Sequence, residues 1–119
     1  MSYIITTFKL STPIYKKLTN QILQDKYGLK ARSRWIKESV ELFLEMPNYI
    51  ELVLIAADVK KLDKLLSIKI PTILAIKISE SIIEVRKIYP NLEGVKSNIF
   101  RASIIQRLLS SELIFKISD

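Results

Sequence analysis

Residues 3–10, YIITTFKL, read as one β-strand with no second strand close behind it, and this limits what the chain can become. The segment is rich in β-branched and aromatic side chains. Ile4, Thr6, Phe8 and Leu10 fall on one face, and Ile5, Thr7 and Lys9 on the other. Two amphipathic segments follow directly, so the first 46 residues read strand, helix, turn, helix. Such a unit is not stable by itself, because a lone strand leaves a row of backbone groups unpaired and two helices leave an apolar face uncovered. The strand has to find its partner elsewhere.

The first helix is expected to start at Ser11-Thr12-Pro13, with a capping hydroxyl and a proline in the first turn. Ile14, Leu18 and Ile22 form its apolar stripe, and Gly28 is the expected stop. Ser33 is the expected N-cap of the second helix, in which Ile36, Val40, Phe43 and Leu44 share a face. Pro47 ends it.

The missing strand lies in the second half. Aligning Ser33 with Ser97 sets Ile36 on Phe100, Lys37 on Arg101, Ser39 on Ser103, Val40 on Ile104 and Leu44 on Leu108. Upstream, LSIKIP (66–71) alternates Leu66, Ile68 and Ile70 against Ser67 and Lys69. A helix over about 72–89 follows, with Leu74, Ile78, Ile82, Val85 and Tyr89 on one face. A turn, YPNLEG (89–94), leads to the last helix. Two registers satisfy the second strand: residues 66–70, or residues 73–78 within TILAIKIS. The first is preferred because the stripe from Leu74 to Tyr89 is unbroken at helical spacing. The expected fold is therefore mainly α with a two-stranded antiparallel β-ribbon, as two β-α-α units forming a pseudo-dimer. Residues 1–46 and 66–119 are the units. Residues 47–65 are a connector, in which Tyr49, Leu52, Val53 and Ala56 suggest a short buried helix and KKLDKL a solvated end.

Composition agrees and narrows the function. The 119 residues suit one compact domain, 49% are hydrophobic, and two glycines and four prolines imply long regular elements. Cysteine and histidine are both absent, which removes disulfides, thiol nucleophiles, imidazole bases and most zinc or copper sites. No carboxylate pair is spaced for acid–base work and no glycine-rich phosphate loop exists, so the chain is not read as an enzyme, and no cofactor or metal is expected. Glu38, Glu41 and Glu45 are read as a solvated helix face, and Trp35, Tyr89 and Phe100 as packing residues. No stretch reads as a secretory signal or membrane span, so a cytoplasmic protein is expected. The net charge of +7 fits a nucleic-acid partner.

Basic residues gather where charge is ordinarily unwelcome. Arg32 and Arg34 flank Ser33, and Lys96 precedes Ser97 and Asn98, all at helix starts whose dipole end is already positive. A phosphate arriving between them would reconcile the two. A two-stranded ribbon fits the major groove, where Ile5, Thr7, Lys9, Ser67 and Lys69 would face base edges. Lys9 and Lys69 also admit a plainer reading as edge lysines that discourage aggregation.

The quoted segments FKLSTPIYKKL…GLKARSRWIKESVELFL and SIKIP…EGVKSNIFRASIIQRLL each resemble the ribbon-helix-helix DNA-binding superfamily, the class of the methionine and Arc repressors. The likeness covers residues 3–46 and 66–110. The tandem, single-chain layout is similar to that of TraY-type conjugation relaxosome proteins. The resemblance implies double-stranded DNA as partner, base reading by outward strand residues, and phosphate contact at the second-helix starts. It implies a transcriptional regulator or a plasmid or mobile-element relaxosome accessory protein, with self-association on DNA and a relaxosome partner both compatible. The chain departs from the family pattern in a longer first helix of its second unit, in its long connector, and in aliphatic Ile5 at a place often polar. Two other functions fit the same residues. One is an antitoxin-type DNA binder that neutralises a protein toxin, though SSELIFKISD leaves a short tail for that. The other is a helical interaction module with no DNA role.

Overall fold

In the computed structural model, residues 2–28 and 31–118 are described, the side chains through residue 111. Strand β1 (Tyr3–Leu10) leads into helix α1 (Thr12–Gln24), then α2 (Arg32–Leu44), the connector helix α3 (Tyr49–Ala56), strand β2 (Lys64–Pro71), α4 (Thr72–Ile88) and α5 (Val95–Ser118). The two strands form one antiparallel sheet, with Thr7 facing Ser67, Phe8 facing Leu66, Ile5 facing Lys69 and Lys9 facing Leu65. Among the described residues no helix is long and apolar enough to cross a membrane.

The preferred register of the second strand holds, and the alternative at 73–78 falls inside α4. Burial explains why. Leu74, Ile78, Ser81 and Val85 are buried at helical spacing while Lys77 is exposed, a pattern that an alternating strand cannot produce. The strand begins at Lys64, two positions before the expected start, so Lys64 and Leu65 belong to the ribbon and not to a solvated connector end.

The ribbon's inner face carries buried Thr6, Phe8 and Leu10 from β1 and Leu66, Ile68 and Ile70 from β2. These pack on α2 and α5, which supply Trp35, Ile36, Val40 and Phe43, and Val95, Ile99, Phe100 and Ile104. Phe8 and Phe100 stack with ring centroids 4.7 Å apart and planes 5° from parallel. Packing crosses between halves: α2 lies against β2, α5 against β1, and α2 and α5 against each other. Arg107 of α5 holds the last seam. Its guanidinium lies 4.2 Å above the Trp35 ring and donates to the Trp35 carbonyl (2.8 Å) and to Ser39 Oγ (3.2 Å). Glu38 joins this seam: it is half-buried, accepts from the Tyr27 hydroxyl and lies 3.9 Å from Arg107, so it is not a solvated carboxylate as the spacing suggested.

Helix ends differ from expectation in an instructive way. Lys26, not Gly28, takes the left-handed residue that closes α1 (φ 61°). The Lys26 N–H donates to the Leu23 carbonyl and the Tyr27 N–H to the Ile22 carbonyl, the paired bonds of a Schellman stop. The half-buried Tyr27 then packs on the core that contains Ile22, so an apolar contact compensates for the missing glycine. At the start of α5 a glycine is used: Gly94 has φ +64°, and its carbonyl accepts from the Asn98 N–H at 2.9 Å.

Candidate nucleic-acid interface

The strand pleat sends Ile5, Thr7, Lys9, Ser67 and Lys69 to the outer face, and all five are exposed. The five residues predicted to face bases therefore share one surface. Leu65 joins them at 67% exposure, opposite Lys9. Neither strand contains an acidic residue. Lys69 Nζ lies 5.2 Å from the Tyr3 ring centroid, which biases the amine to that end of the face. Both carboxylate oxygens of Asp63, just before β2, lie 2.9 Å from the Thr12 hydroxyl and share its one proton, which holds the carboxyl below the usual carboxylate value.

Both outer edges of the ribbon are engaged by helix residues. On β2, Arg32 Nη2 donates to the Ser67 carbonyl (3.3 Å), and the Lys69 N–H donates to Ser33 Oγ (3.2 Å). On β1, Arg101 Nη1 donates to the Lys9 carbonyl (3.1 Å). An open two-stranded ribbon would otherwise present these groups to other chains. Burial lowers the pKa of Arg101 from its ordinary value, yet a guanidinium retains its proton in such a setting.

This geometry revises the roles of the two serines. Ser33 is not the N-cap of α2; Ala31 is, and no side chain caps that end. The Ala31 N–H bonds to the Gly28 carbonyl (3.2 Å), so the turn tightens before Ser33, whose hydroxyl is used by the strand edge. Ser97 is likewise inside the helix, since α5 starts at Val95. At α5 the first intrahelical donor is the Asn98 N–H, so the first-turn amides of Val95, Lys96 and Ser97 precede it.

The cations predicted to hold phosphate divide. Arg34 is exposed, 4.2 Å from the Tyr27 ring centroid, and Lys96 is exposed in the first turn of α5. Arg32 is half-exposed beside β2. Asn98 is a correction: it is buried at 2% exposure, accepts from Arg101 and donates to the Glu93 carbonyl (3.3 Å). Its side chain therefore positions Arg101 and does not face solvent. The sequence pattern does not single out Leu65 or Arg101. The alternation of LLSIKI extended back to Leu65, but the neighbouring KKLD made that stretch look solvated. Arg101 aligned with Lys37, which gave no sign of burial. No protein-family model, curated protein or solved structure matches this chain.

Proposed function

We propose that the chain binds double-stranded DNA as a single-chain pseudo-dimer of two ribbon-helix-helix units, with the ribbon in the major groove and the starts of α2 and α5 on flanking phosphates. The observation that carries this reading is the outer ribbon face. Each strand presents aliphatic, hydroxyl, lysine in the same chain order: Ile5-Thr7-Lys9 and Leu65-Ser67-Lys69. The strands are antiparallel and Thr7 faces Ser67, so the two triplets are related by a half-turn about that central pair. A half-turn is also the symmetry of a duplex seen along its dyad. Lysine can donate to guanine O6 and N7, and hydroxyls can donate or accept. The order β-α-α recurs on either side of α3, and the cross-packing of α2 on β2 and α5 on β1 holds the halves together. The resemblance noted in the sequence supports a role in transcription regulation or at a plasmid or mobile-element site, in the cytoplasm.

The test is duplex binding by fluorescence anisotropy across a salt series. Neutralising three phosphates through Arg32, Arg34 and Lys96 should give a slope of about −3 in log K against log salt. A slope near zero would remove the DNA reading and leave the helical interaction module.

A further inference from the structure

We propose that Ile5 and Leu65 are specificity-determining residues that read the 5-methyl groups of thymine, so that the preferred duplex places a thymine beside a guanine at two positions related by the ribbon's half-turn. This rests on the DNA reading of the same face. Ile5 is 73% exposed and Leu65 is 67% exposed. A single aliphatic side chain in solvent is ordinary. Here, however, two occupy corresponding places on antiparallel strands, one step before a hydroxyl and two before a lysine. An exposed ribbon with aliphatic groups on either side of its central pair invites association unless a ligand covers it. Among base edges in the major groove, the thymine methyl is the apolar feature such a side chain can cover.

The register makes the reading specific. Ile5 faces Lys69, and Leu65 faces Lys9. Side chains directly opposite one another on a ribbon are about 5 Å apart, comparable to one or two base steps. Each aliphatic–lysine pair therefore faces neighbouring base pairs, with the lysine on guanine and the aliphatic group on thymine. The two pairs are separated by the Thr7–Ser67 pair, from Ile5 to Lys9 along β1. At about 3.3 Å per residue this is ~13 Å, or about four base steps of 3.4 Å. The pairs are not equivalent at their outer ends. Tyr3 lies beside Lys69, whereas the Lys9–Leu65 end carries Asp63 just beyond the strand. The two thymine-guanine steps should accordingly be read with unequal strength.

The experiment starts from a duplex pool with a random core, selected on the intact chain. The recovered duplex is then resynthesised with uracil in place of thymine, which removes the methyl and keeps every hydrogen-bonding group. Losing one methyl contact should weaken binding about fourfold, and losing both about fifteenfold, with the salt slope unchanged. An Ile5→Ser, Leu65→Ser chain should bind the thymine and uracil duplexes alike. Equal affinity of the wild-type chain for the two duplexes, with sequence preference and steep salt dependence retained, would overturn the methyl reading and leave DNA binding intact. A recovered pool without a common thymine-guanine step would overturn it too. Failure to bind any member of the pool in a salt-dependent way would overturn the DNA reading itself, and this inference with it. The uracil comparison on the wild-type chain needs no variant, so it stands even where the double substitution perturbs the ribbon.

Discussion

Alanine at Thr7, Lys9 and Lys69 together should erase preference for the chain's own DNA site while leaving the protein folded. All three side chains are exposed on the outer ribbon face, so stability should change by about 0.5 kcal/mol or less per position. A lysine seated on a guanine edge contributes about 1–3 kcal/mol of discrimination. Two such contacts give about 2–6 kcal/mol, a loss of preference of at least about thirtyfold. Arg32, Arg34 and Lys96 would still meet phosphates, so binding to random duplex should persist with a nearly unchanged salt slope. Anisotropy titrations on selected and random DNA, paired with a thermal melt, separate these effects. Retention of full site preference by the triple variant would place base reading elsewhere on the molecule.

Replacing Phe100 by alanine should produce the largest loss of stability of any single substitution in the last helix. Phe100 is fully buried and stacks on Phe8, joining α5 to the inner face of the ribbon. Truncating a buried phenylalanine costs about 3–5 kcal/mol, because the cavity is only partly refilled. A domain of this size is stable by about 5–15 kcal/mol in total. Urea denaturation should therefore show a midpoint lowered by about a fifth of the wild-type value or more, at an unchanged slope. Duplex affinity at low temperature and without denaturant should survive, since Phe100 is buried and stacks on Phe8 of the ribbon's inner face. A loss below about 1 kcal/mol would mean that the stack does not hold the ribbon to the helices.

Much of this arrangement was legible because two periodicities alternate cleanly along the chain. Period two in YIITTFKL and LSIKIP placed both strands and chose their outward residues, and each helix showed its buried stripe. The demand of a lone strand for a partner linked the halves across more than fifty intervening residues. What escaped was set by tertiary contact. Ser33 carries the composition of an N-cap, yet its hydroxyl is used by the edge of β2. Gly28 carries the composition of a helix stop, yet Lys26 is held in the left-handed conformation by the bonds closing α1. Asn98 and Arg101 look like surface polar residues, but together they serve the edge of β1 from a buried position. Thr6 is the reverse case: alternation placed it correctly inside, where its hydroxyl is buried without a hydrogen-bond partner among the described residues. Periodicity reports which face a residue is on; it does not report which backbone group will claim its side chain.

The most direct measurement is backbone amide NMR of the intact chain during titration with a duplex. If the ribbon enters the major groove between two phosphate clamps, the largest shifts should fall at Ile5, Thr7, Lys9, Leu65, Ser67 and Lys69. A second set should appear at the first-turn amides of Arg32, Ser33, Arg34, Lys96 and Ser97, while the outer faces of α3 and α4 stay unmoved. Shifts concentrated on α3 or α4, with the ribbon silent, would contradict the account.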